Sequence, residues 1–114
     1  MKIVDLLKRE SVELNGKVTS KPEAIEKMVA LMAAGGNLAD VEAYKKGVFA
    51  REEESTTGIG EGIAIPHAKT AAVKAPGLAA MVVKDGVDYD SLDGEPAKLI
   101  RSEEHTSELQ SRIT

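Results

Sequence analysis

The residue best placed to do chemistry is His67, which follows Pro66 and closes the run Gly58-Ile59-Gly60-Glu61-Gly62-Ile63-Ala64-Ile65-Pro66. Proline fixes its own φ near about −65° and restricts the residue before it, so His67 starts from a stiff backbone able to aim its ring. Imidazole as a residue type titrates near about 6.5, so close to neutral pH one ring nitrogen keeps its lone pair while the other can donate to a carbonyl that fixes the tautomer. A nitrogen presented in that way is a nucleophile. On its N-terminal side stand Thr56, Thr57 and the glycine loop, whose hydroxyls and N–H groups could hold an anion, and Arg51 could offer a bidentate fork to phosphate oxygens. Spacing alone leaves blander readings open. His67 could be a hydrogen-bonded strand-end residue, the glycines loop punctuation, Glu52-Glu53-Glu54 a solvated helix end, and Arg51 its ion-pair partner.

Competing chemistries fare worse. Gly58, Gly60 and Gly62 lack the spacing of a dinucleotide fingerprint, and the chain runs on through β-branched Ile63 and Ile65 to Pro66, so no helix start is available to receive a pyrophosphate. No Gly-Lys-Ser/Thr comes after the glycines to make a phosphate loop. The two histidines, His67 and His105, come without cysteines, an HExxH motif or a carboxylate cluster, so neither a metal nor another cofactor is expected. Nineteen acidic against fifteen basic residues, with Tyr44, Phe49 and Tyr89 as the whole aromatic stock, supply neither a basic groove nor a base-stacking platform, which argues against nucleic acid as a partner. Zero cysteines leave nothing that requires an oxidising compartment. Lys8, Arg9 and Glu10 interrupt the opening before it reaches signal-peptide length, and no later window approaches the roughly 18 to 20 apolar residues of a membrane span. The expectation is a cytoplasmic protein, or the soluble part of something larger.

The 114 residues leave room for one core, and helical and extended patterns alternate over the first hundred of them as in an α/β domain. Val12, Leu14 and Val18 around Asn15-Gly16 suggest strand and hairpin. Ser20, with Glu23 three residues on and Pro22 in the first turn, starts a helix whose stripe is Ile25, Met28, Val29 and Met32 and whose end is Gly35-Gly36. A second helix is expected from Asp40 to about Glu53, burying Val41, Tyr44 and Val48 and exposing Lys45, Lys46 and Arg51. Ile59, Ile63 and Ile65 read as one short strand, and residues 77–83 as a buried one, followed by a turn at Lys84-Asp85-Gly86 and a polar loop through Gly94. A third begins at Ala97 and is expected to stop at Ile100. The remainder, RSEEHTSELQSRIT, has only Leu109 and Ile113 as hydrophobic residues and resembles a translated sequencing adapter. The expected division is a domain over 1–100, truncated at its C-terminus, and an unrelated, dispensable polar tail over 101–114. The expected fold is a mixed β-sheet flanked by helices on both faces.

The segment Arg51-Glu-Glu-Glu-Ser-Thr-Thr followed by Gly58-Ile-Gly-Glu-Gly-Ile-Ala-Ile-Pro-His67 resembles the active-site region of the type-2 enzyme IIA domain. That is the fructose/mannitol and nitrogen-regulatory family of the bacterial phosphoenolpyruvate-dependent sugar phosphotransferase system. The likeness covers residues 1–100, including Ile3 to Glu10 and Gly86-Val-Asp-Tyr-Asp-Ser-Leu-Asp-Gly94. It implies that His67 accepts a phosphoryl group from the phosphohistidine of the carrier protein HPr and passes it to a cysteine of an enzyme IIB domain, serving a membrane IIC component indirectly. It implies that Arg51 supports the phosphorylated histidine, that the Thr57 hydroxyl lines the pocket, and that no metal is required. The 86–94 segment resembles the fructose branch most. The nitrogen-regulatory branch implies instead a domain whose phosphorylation switches binding to other proteins, and a third reading is a non-catalytic module with a structural histidine. The family's second active-site histidine has no counterpart here, since His105 comes too early and lacks the helical apolar pattern behind it.

Overall fold

The computed structural model describes residues 7–105. Strands β1 (Leu7–Glu13), β2 (Gly58–Gly60), β3 (Ile63–Ala64), β4 (Gly77–Val87) and β5 (Ala97–Glu104) form one sheet in the order β1-β4-β5-β3-β2, with helices α1 (Lys21–Ala34) and α2 (Val41–Glu54) between β1 and β2. The sheet is mixed. β1 runs parallel to β4 and β3 parallel to β5, whereas β4 and β5, and β2 and β3, are antiparallel.

Helix α1 forms as its capping residues dictate. The Ser20 hydroxyl accepts the Glu23 N–H at 3.3 Å, and the Glu23 carboxylate reaches back to the Thr19 N–H at 2.6 Å. Ile25, Met28, Val29 and Met32 are all buried, as their spacing demands, and α1 packs on β1, β4 and α2. Gly36, at φ +77°, supplies the left-handed residue that ends the helix. Helix α2 is capped by Asp40, whose side chain accepts the Ala43 N–H at 3.0 Å. It buries Tyr44 and Val48 but leaves Val41 41% exposed, against expectation, because Val41 sits in the first turn, beside the cap.

Several boundaries differ from the sequence reading. Asn15-Gly16 makes no hairpin: β1 pairs in parallel with β4, and Gly16 instead docks against it, donating to the Val82 carbonyl at 2.8 Å. A Cβ there would sit 2.5 Å from Met81 Cγ, so the glycine serves close approach rather than chain reversal. The single strand expected over 59–65 is a β2–β3 hairpin turning at Glu61 and Gly62, both at positive φ as a type I′ turn requires. Lys84-Asp85-Gly86 lies within β4, where a register shift between Val82 and Val87 absorbs the positive φ of Gly86. Strand β5 continues through Arg101–Glu104, opposite Gly77–Ala80, instead of stopping at Ile100, because the edge of β4 offers backbone partners to any sequence. Residues 106–114 of the expected tail lie outside the described residues, as do Met1–Leu6.

Helices cover one face of the sheet. Gly77, Ala79, Met81 and Val83 of β4, with Ile100, Ser102 and Glu104 of β5, point into the core. On the opposite face Leu78, Ala80 and Val82 are half-buried beside exposed Glu103, Arg101 and Leu99. Among the described residues no helix packs there, so the expectation of helices on both faces is met on one.

Candidate functional site

The segment 65–76 leaves the end of β3 and crosses past β5 to reach β4, which lies on the other side of that central strand. His67 stands at the start of this crossing. Its backbone is held on both sides by β5, since the Ser102 hydroxyl donates to the Pro66 carbonyl at 2.5 Å and the Ala68 N–H donates to Glu104 Oε2 at 3.0 Å. The ring lies 2.8 Å through Nδ1 from the Ile65 carbonyl. A carbonyl oxygen can only accept, so Nδ1 carries the proton and the lone pair of the neutral ring is on Nε2.

The half-exposed His67 shares a shallow cleft of about 500 Å³ with Arg51, Glu54, Gly47 and Lys69. Two of the expected site residues, His67 and Arg51, are therefore brought together from α2 and the 65–76 segment. The Arg51 guanidinium donates to the Ser55 carbonyl at 3.0 Å and approaches Glu54 at 3.9 Å. The first contact satisfies a carbonyl at the end of α2, and the second is the long, exposed kind of ion pair that contributes little. Arg51 and Lys69 thus bring two cationic side chains to the cleft, against the one carboxylate of Glu54.

Thr57 is elsewhere. It is buried, and its hydroxyl is engaged with Glu52 Oε1 and lies 3.1 Å from the Tyr89 hydroxyl. Glu52 is not a solvated helix end. Its side chain is 5% exposed and receives Lys21 Nζ at 3.0 Å, the Thr57 N–H at 3.1 Å and the Tyr89 hydroxyl at 2.9 Å. Burial pushes its carboxyl up, but the hydrogen bonds from Thr57, Lys21 and Tyr89 outweigh that and hold it below the usual carboxylate range. Lys21 also lies over the Tyr89 ring, 4.8 Å from its centre. The sequence reading missed this cluster. Its one available signal was the i, i+4, i+8 spacing of Tyr44, Val48 and Glu52, which puts Glu52 on the buried face of α2.

A second buried carboxylate lies behind the histidine. Glu104, 2% exposed, accepts from the Tyr44 hydroxyl at 2.6 Å and from Ala68. Burial dominates here and pushes its carboxyl up to about 7, with the Tyr44 and Ala68 hydrogen bonds only partly opposing. Burial beside this carboxylate also pushes the Tyr44 phenol up. His105 pairs with Glu103 at 3.3 Å. Among the described residues no group of three or more His, Cys, Asp or Glu could hold a metal ion, and no helix is long and apolar enough to cross a membrane.

A mixed five-stranded sheet with this connectivity is shared with solved sugar-phosphotransferase IIA domains. The fold superposes on the nitrogen regulatory protein IIA-Ntr of Neisseria meningitidis with a TM-score of 0.83 at 27% identity, over 96% of this chain and 74% of that one. It matches the mannitol IIA of Escherichia coli with a TM-score of 0.77 at 25% identity, over 93% and 76%. Residues 5–102 match the family described as phosphoenolpyruvate-dependent sugar phosphotransferase system, EIIA 2, and the chain belongs to that family, whose members are phosphotransferase components. It is 51% identical over 100 residues to the fructose-specific EIIABC component of Bacillus subtilis and 41% identical over 91 residues to the fructose-specific EIIA component of Haloferax volcanii. The alignments cover 88% and 80% of this chain, but only 16% and 59% of those relatives.

Proposed function

We propose that this chain carries the phosphoryl relay of a fructose-type IIA domain, with His67 as the residue that is phosphorylated. The lone pair on Nε2 attacks the phosphorus of the phosphohistidine on HPr. The bond to the donor imidazole breaks as the new N–P bond forms, and no free phosphate is released. The proton stays on Nδ1, donated to the Ile65 carbonyl throughout, and the dipole of that carbonyl offsets the positive charge that the ring acquires. In the second transfer a thiolate of an enzyme IIB domain attacks the same phosphorus, and the electron pair returns to Nε2. Phosphoryl transfer asks for position and charge stabilisation rather than acid or base power, and Arg51 supplies the charge. A cleft this shallow fits partners that dock briefly and leave.

The observation that carries this reading is the Nδ1 contact with a backbone carbonyl beside an arginine-lined cleft. The fructose assignment rests on the 51% identity to the Bacillus subtilis component, against 35% to the nitrogen regulatory protein of Pseudomonas aeruginosa. We also propose that the family domain, expected over 1–100, ends within β5, where the family match stops at residue 102, and that the polar remainder of 101–114 does not belong to it; a carboxylate at a core position just past that point, Glu104, supports the division. Incubation with phosphoenolpyruvate, enzyme I and HPr tests the relay. The expected result is acid-labile, base-stable phosphate on the chain and none on His67→Ala, whereas equal labelling of the two, or none on either, refutes it.

A further inference from the structure

We infer that Glu52, through Thr57 and Ile65, is the positioning group that sets the His67 ring relative to Arg51. The inference rests on the reading of His67 as the phosphorylated residue, and it gives Thr57 a role different from contact with the phosphoryl group. A run of hydrogen bonds joins the two residues that share the cleft. Glu52 follows Arg51 on α2 and receives both the N–H and the hydroxyl of Thr57. The Thr57 carbonyl in turn accepts the Ile65 N–H at 3.0 Å, and the Ile65 carbonyl accepts from His67 Nδ1. Apart from the Thr57 hydroxyl, which anchors that side chain to Glu52, each link is backbone on at least one side, so a shift of Glu52 is passed on as a shift of main chain rather than lost in a side-chain rotation.

The Glu52 carboxylate is filled. Oε1 takes the hydroxyls of Thr57 and Tyr89, and Oε2 takes Lys21 Nζ and the Thr57 N–H, which uses the four lone-pair sites that a carboxylate offers. Those donors come from the start of α1, the entry to β2 and the loop after β4, so one buried anion ties three segments to the last turn of α2. A hydroxyl committed to this anion has no proton left for a phosphoryl oxygen, and Thr57 is not among the residues lining the cleft. Glu52 and Thr57 are thus positioning residues, whereas His67 and Arg51 meet the reacting group.

A double-mutant cycle with Glu52→Gln and Thr57→Val decides between contact and positioning. Single-turnover transfer from phospho-HPr is expected to slow by roughly 10- to 100-fold in each single variant, as sub-ångström misplacement of reacting groups does, with the KM for HPr unchanged. The double variant is expected to be no slower than the worse single, and Thr57→Ser to be near wild type. Losses that multiply, or single variants at the wild-type rate, overturn the proposal. Nitrogen-15 NMR of the His67 ring gives a readout that needs no phosphoryl transfer. The wild type should hold the Nδ1–H tautomer, and Thr57→Val and the milder Tyr89→Phe should shift it toward Nε2–H. An unmoved tautomer in both overturns the proposal even if Glu52→Gln does not fold. Absence of labelling in the wild type would count against the relay itself, and the tautomer measurement would still judge the positioning.

Discussion

Glu104→Gln should remove a loss of stability that sets in as pH rises. In the folded chain the Glu104 carboxyl is pushed up to about 7 by burial, against an ordinary value of 4.5. Below the ordinary value the group is protonated in both states and costs nothing. Between the two values the unfolded chain releases the proton while the folded chain keeps it, so stability falls as pH rises and stays lowered above the folded value. A gap of this size corresponds to about 3 kcal/mol, a large fraction of the roughly 5 to 15 kcal/mol that holds a typical domain together. Glutamine keeps the shape and an oxygen to accept from Tyr44 or Ala68, but it cannot ionise. Urea unfolding of both proteins from pH 4.5 to 8 should show the variant gaining on the wild type by about 3 kcal/mol across the range. A difference between the two that stays constant with pH would refute the reasoning, since any offset from lost hydrogen bonding is independent of pH.

Arg51→Ala should fold as the wild type, because its contacts are partly exposed, yet slow transfer to His67 by roughly 10²- to 10³-fold, the usual effect of deleting one charge-stabilising donor. Arg51→Lys should recover part of the loss, and a wild-type rate in Arg51→Ala would remove it from the site. Truncation after Ile100 strips the β5 residues paired with Gly77–Ala80, and the Ser102 and Glu104 contacts to the His67 backbone with them. Its thermal midpoint should therefore drop, against the expectation from composition that the tail is dispensable. A truncated chain that melts with the full one would show that this pairing contributes nothing.

The sequence determined what is local. Caps at Ser20 and Asp40, the stripe from Ile25 to Met32, and the proline before His67 each act within a few residues, so spacing alone announces them. Tertiary structure decided which polar groups go inside. Glu52 reads as one of three consecutive glutamates, and only the arrival of Lys21, Thr57 and Tyr89 from distant segments makes its burial tolerable. Sheet order likewise came from outside the local pattern: Asn15-Gly16 has the residues of a hairpin turn, but β4 offered β1 a buried parallel partner and took Gly16 as a point of close approach. The chemistry proposed for His67 starts from its residue type, its proline and a carbonyl two residues back, all local, whereas only folding brings Arg51 of α2 into the same cleft.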